Sequence, residues 1–236
     1  MVGSSRASAV TRWRARRLSE GVRASLDRAP VVDDGAGVLR TMVVGLDPIR
    51  ILLFGSGPLV GYGVLARRDA VDGPLAQLLA DETGRGVIVE SRVRLALPVA
   101  EAVGSLGGAG TATFAVAVWA PRFGEELQHA DTERCRASIR AMIHEFRAES
   151  QIPLILCHLP EPLGHDWRTI LRRPRIARLN RILTEEAGAA DCVEAVSIGT
   201  YRPADPGSTL GPWHRTFAAQ LVPAVLRAVG TRDTSA

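Results

Sequence analysis

Lysine is absent from the 236-residue chain, so all 29 of its basic residues are arginine. With the accompanying bias toward Ala, Gly and Val, this composition is that of a GC-rich coding sequence. The pI of about 9.6 is therefore weak grounds for a nucleic-acid partner, and none is expected. Three cysteines, Cys135, Cys157 and Cys192, stand at scattered spacings, too few and too irregular for a disulfide framework, which points to a reducing, cytoplasmic compartment. No apolar run approaches the roughly 18 residues a membrane span needs. Asparagine occurs once, at Asn180, so any chemistry that needs an amide donor elsewhere must do without asparagine.

What is present divides the chain unevenly. Residues 1–30 carry seven arginines, among them Arg12, Arg14, Arg16 and Arg17, against Glu20 and Asp27, and contain no apolar core of a secretory signal. A solvated helical extension is expected there, with residues 31–38 as linker, an α/β domain over 39–230 and a short tail over 231–236. From Arg50 onward, short aliphatic runs alternate five times with helical patterns, which is the signature of a parallel sheet buried between helices. The expected strands are 50–54, 86–93, 111–119, 152–158 and 192–198. The fold class is thus α/β, a three-layer α/β/α arrangement around a five-stranded parallel sheet.

Helix signals fill the gaps. Asp72-Gly73-Pro74 opens a helix that Gly84 stops, and Pro98 opens another in the same way. Ile139, Met142, Ile143 and Phe146 give an apolar stripe to a helix over 125–150, and Ile176, Leu179, Ile182 and Leu183 give one to the next, which Pro174 begins or kinks. A last helix covers 214–229.

Ligands of open parallel sheets bind beyond the carboxyl ends of the strands, so the turn after the first strand is the first place to look for chemistry. It reads Phe54-Gly55-Ser56-Gly57-Pro58-Leu59-Val60-Gly61-Tyr62-Gly63. Gly55, Gly57 and Gly61 make a loosened dinucleotide fingerprint, with Glu90 as ribose partner. A pyrophosphate site, however, needs its helix to start inside the glycine loop, and the helix signal comes only at Asp72.

The stretch Ile51 to Gly63, ILLFGSGPLVGYG, resembles the first block of the SGNH/GDSL hydrolases, especially actinobacterial members. The order that follows also resembles that family: a loop, the helix after Pro74, Thr83-Gly84-Arg85-Gly86 before strand two, Arg178-Leu179-Asn180 in the helix before the last strand, and a histidine ahead of a terminal helix. The resemblance spans about 50–229. It implies a flavodoxin-like architecture, a small ester or acyl substrate, no cofactor, and a serine nucleophile assisted by a histidine, an aspartate and two oxyanion donors.

Several of those positions are altered. Matching Gly55, Gly61 and Gly63 to the family's glycines puts Ser56 in the aspartate position and Gly57 in the nucleophile position. Trp119-Ala120-Pro121-Arg122 stands where the oxyanion asparagine is expected, and 91–98 has no glycine to donate from the second block. Gly211-Pro212-Trp213-His214 keeps the family's histidine and loses its aspartate, leaving Asp205 as the nearest carboxylate upstream. The candidate catalytic residues are therefore Ser56, His214 and Asp205, with the N–H of Ser56 or Gly57 as oxyanion donor. Gly55, Gly57, Tyr62, Trp119, Arg122 and Trp213 are the candidate substrate contacts. Two functional readings remain open: an ester or acyl hydrolase or acyltransferase, and a non-catalytic protein of the same fold that binds a ligand or partner at the carboxyl edge. A zinc site from Cys157, His158 and His165 lacks the paired spacing of structural sites. Oligomeric state is not encoded in any pattern of the sequence.

Overall fold

A computed structural model describes residues 38–61, 63–94, 97–106, 110–121, 131–162, 167–201 and 210–233. The five aliphatic runs form strands, because β-branched and leucine side chains fit a pleated surface covered on both sides. They are β2 (Ile49–Gly55), β3 (Val87–Val93), β4 (Val116–Ala120), β5 (Leu154–Cys157) and β7 (Val193–Val196). A strand not expected from the sequence, β1 (Leu39–Val43), lies antiparallel on β3. The sheet order is β1-β3-β2-β4-β5-β7, and the contacts from β3 to β7 are parallel. The expectation of five parallel strands is thus corrected to a mixed, six-stranded sheet. Two further short strands, β6 (Glu161–Pro162) and β8 (Thr200–Tyr201), pair with each other beyond the carboxyl edge.

Alternation along each strand sorts the core into two layers. Ile51, Leu53, Val89, Val118 and Ile155 face α1 (Asp72–Thr83) and α4 (Gly211–Asp233), where Leu75, Leu79, Phe217 and Leu221 meet them. Leu52, Phe54, Ala117, Trp119 and Leu156 face α2 (Thr132–Glu149) and α3 (Trp167–Gly188). The expected stripes are buried there: Ile139, Met142, Ile143 and Phe146 on α2, and Ile176, Leu179, Ile182 and Leu183 on α3. Asp131 caps α2 by accepting from the N–H groups of Glu133 and Arg134, and Pro174 lies inside α3. Two expectations are corrected. Pro98 precedes a three-residue 3₁₀ turn, Val99–Glu101, in place of an α-helix, and Thr111–Thr113 is another 3₁₀ turn, so β4 begins only at Val116.

Candidate functional site

The carboxyl end of β2 is fixed by a close approach of main chain. Gly55 has φ +105°, and a Cβ placed there would lie 2.4 Å from the Ala120 carbonyl oxygen and 2.9 Å from Cδ1 of Trp119. Only glycine fits. The approach lets the N–H of Ser56 donate to Ala120 O at 3.0 Å, while the N–H of Arg94 donates to Gly55 O at 3.0 Å. Gly57, at φ +61°, then starts a 3₁₀ turn, Gly57–Val60, which Gly61 ends at φ +82°. The turn is buried throughout, and Ser56 is only 1% exposed. Because the Ser56 N–H is bonded to Ala120, it is not available as an oxyanion donor, which corrects one of the two donors expected from the sequence and leaves Gly57.

The histidine-bearing segment is clasped to this turn through the backbone. Leu210 N–H donates to Gly63 O at 2.7 Å, and a Cβ on Gly63 would collide with the Leu210 side chain at 2.6 Å. Leu210 O in turn accepts from His214 N–H at 3.0 Å, so His214 belongs to the first turn of α4. Its ring is fully buried, in edge contact with Trp213, whose own ring lies 5.7 Å from that of Phe217. Trp213 Nε1 donates to Thr200 O at 3.0 Å, anchoring the helix start to β8. Ser56 and His214 thus belong to two segments joined at Gly63 and Leu210, and both are buried. Tyr62, Arg122 and Asp205 lie outside the described residues, as does His165.

The two tryptophans expected at the pocket are not brought together. Trp119, paired in register with Phe54, is 1% exposed under α2 and α3, whereas Trp213 packs on the α1/α4 side. Cys157 and His158 also diverge, since adjacent strand residues point to opposite faces. Burial pushes the Cys157 thiol well up, and His158 Nε2 lies 3.0 Å from Thr184 Oγ1, with burial holding its imidazolium form below the usual range. Among the described residues no cluster of three His, Cys, Asp or Glu side chains suits a metal. Glu90 sits between Arg40 and Arg92, at 3.0 and 2.8 Å. Burial opposes its ionisation, but the arginine hydrogen bonds outweigh that and keep the carboxyl below its ordinary value. A ribose hydroxyl would have to displace those arginines, and α1 starts at Asp72, well past the glycine loop.

The single asparagine has a role the sequence did not reveal. Asn180 Oδ1 accepts from Leu159 N–H at 2.8 Å and its Nδ2 donates to Leu159 O at 2.9 Å, which staples α3 to the segment after β5. A cavity of about 470 Å³ opens beside the Gly63 clasp, walled by Val64, Leu65 and Pro212 with Arg68, Asp69 and Arg215 at its polar side; neither Ser56 nor His214 lines it. Arg68, Asp69 and Arg215 were not candidates in the sequence, because segments about 145 residues apart carry no mutual spacing signal.

No family model and no curated protein matches the chain. Solved structures do. It is similar to a lipase from a goat rumen metagenome (TM-score 0.59, 12% identity, 75% of this chain and 97% of that one). A G-D-S-L family lipolytic protein from Veillonella parvula gives TM-score 0.57 at 11% identity over 76% of this chain and 99% of the other. The SGNH-hydrolase family esterase AlinE4 gives 0.52 at 16% identity, over 64% and 76%. At such identities the likeness establishes an SGNH-hydrolase-like fold.

Proposed function

We propose that this chain is a non-hydrolysing protein of SGNH-hydrolase-like fold that binds a small molecule at the carboxyl edge of its sheet. The observation that carries this reading is the glycine turn. Gly57 occupies the position that the sequence resemblance assigns to the nucleophile, and the neighbouring hydroxyl, on Ser56, is 1% exposed. The amide that family members use as an oxyanion donor has no counterpart, because Asn180 is the only asparagine and it holds Leu159. Removing one oxyanion donor costs on the order of 10²–10³ in rate, and a buried nucleophile adds to that loss. Among the described residues no helix is long and apolar enough to cross a membrane, and none of the three cysteines forms a disulfide, which suits a cytoplasmic setting.

The rival reading, an esterase with Ser56 as nucleophile, His214 as base and Asp205 as orienting carboxylate, draws support from the Leu210 to Gly63 hydrogen bond that joins the two segments. Turnover of p-nitrophenyl esters from acetate to octanoate separates the two. The binding-protein reading expects wild type, Ser56→Ala and His214→Ala to show the same background rate. Turnover that both substitutions abolish would establish the hydrolase.

A further inference from the structure

Several arginines have carboxylate partners: Arg40 and Arg92 hold Glu90, Arg136 and Arg140 hold Glu186, and Arg67 holds Asp72. Arg68 and Arg215 make no ion pair or side-chain hydrogen bond among the described residues, yet they line the same 470 Å³ cavity, where Asp69 is the one carboxylate among the described lining residues. Two cations against one carboxylate leave the cavity with a net positive charge that favours an anion.

The backbone of both arginines is held there by structure. The 3₁₀ turn Arg67–Asp69 is anchored because Arg67 Nε donates to Asp72 Oδ2 at 3.1 Å and Nη1 to Val60 O at 3.3 Å. The Arg68 carbonyl lies against Gly73 so closely that a Cβ there would be 2.1 Å away. Arg215 follows the first turn of α4, near the positive end of a helix that has no acidic residue in that turn, a place where cations are disfavoured. The remaining wall is apolar, with Val64 buried, Leu65 76% exposed at the rim and Pro212 opposite.

We infer that this cavity binds a small organic anion, a carboxylate or phosphate head on a short aliphatic body. The head lies between Arg68 and Arg215, whose guanidinium groups match two oxygens of either head, and the aliphatic body lies against Val64, Leu65 and Pro212. This deepens the binding-protein reading and rests on it.

Isothermal titration of the full chain with octanoate, monooctyl phosphate, 1-octanol and inorganic phosphate tests it. At least one octyl anion should saturate the protein, at least tenfold tighter than octanol and than inorganic phosphate, and the tighter of the two identifies the head. Arg68→Gln and Arg215→Gln, both at exposed positions, should each weaken binding about tenfold or more, while the distant Arg181→Gln leaves it unchanged; unaltered thermal unfolding shows that the variants fold. Absence of saturation by either anion, equal binding of octanol or of inorganic phosphate, or wild-type affinity in both arginine variants overturns the inference. Such a failure leaves the non-hydrolysing reading standing, whereas Ser56-dependent ester turnover removes that reading whatever the titration gives.

Discussion

The α2/α3 layer is joined by its side chains. Glu186 of α3 accepts from Arg136 and Arg140 of α2 at 2.8–3.0 Å, Arg147 donates to Ile152 O, and Asn180 staples Leu159. On the α1/α4 side the carboxyl edge is closed by main chain and glycine, with Gly63 against Leu210 and Gly73 against Arg68. Where backbone makes the closure, side chains are left over, and there the cavity opens with Arg68 and Arg215 unpaired by carboxylates. Packing and glycine placement produce the SGNH-hydrolase-like architecture.

The difference between the layers is open to attack by substitution. Phe146 stacks on Phe54 at 5.6 Å in the centre of the α2/α3 layer, fully buried. Phe146→Ala should cost about 3–5 kcal/mol in urea unfolding, through the lost burial and the cavity left behind. Asp72 is the α1/α4 layer's main buried side-chain tie, accepting from Thr41 Oγ1 at 2.6 Å and from Arg67 Nε. Asp72→Ala should cost about 3 kcal/mol by leaving the part-buried Arg67 without its partner, and it should also loosen the turn that presents Arg68. A loss under about 1 kcal/mol would show that backbone alone closes that edge. Asn180→Ala should cost about 1–2 kcal/mol, for two hydrogen bonds to the backbone of Leu159.

Acid sharpens the comparison further. Arg140 first, against an opposing burial effect, then Arg136 hold the Glu186 carboxyl below its ordinary value, and Glu90 is lowered too, with its arginines outweighing burial. A carboxylate whose folded-state value is depressed stabilises the fold fully above its unfolded value, near 4.5, and loses that contribution as pH falls through the folded value. Unfolding free energy should hence decline below about pH 4.5, and Glu186→Gln should flatten that decline. An unchanged acid slope in the variant would assign the effect elsewhere.

The parts of this picture that were legible in the sequence are those with a period. Both apolar stripes of α2 and α3 and the bounds of α1 follow from spacing and from Pro74 and Gly84. β1 was not legible, because an edge strand reading Leu-Arg-Thr-Met-Val is covered on one side only and lacks a continuous apolar run. Neither were the 3₁₀ turns, whose three or four residues carry no periodicity. At the site, the glycines read correctly as turn formers, since Gly55, Gly57, Gly61 and Gly63 all have positive φ. What could not be read was burial. Strand alternation hides Trp119 beneath α2 and α3, and the helix start at Gly211 draws His214 inward.

The proposal that the fold is kept without hydrolytic chemistry is most directly tested by exposing the chain to a fluorophosphonate probe and measuring intact mass. The probe phosphonylates a serine only where the hydroxyl is reachable and activated by a base. With Ser56 buried and Gly57 in the position that the resemblance assigns to the nucleophile, the account predicts no mass increase over hours in wild type. A single adduct that maps to Ser56, and that disappears in His214→Ala, would contradict it.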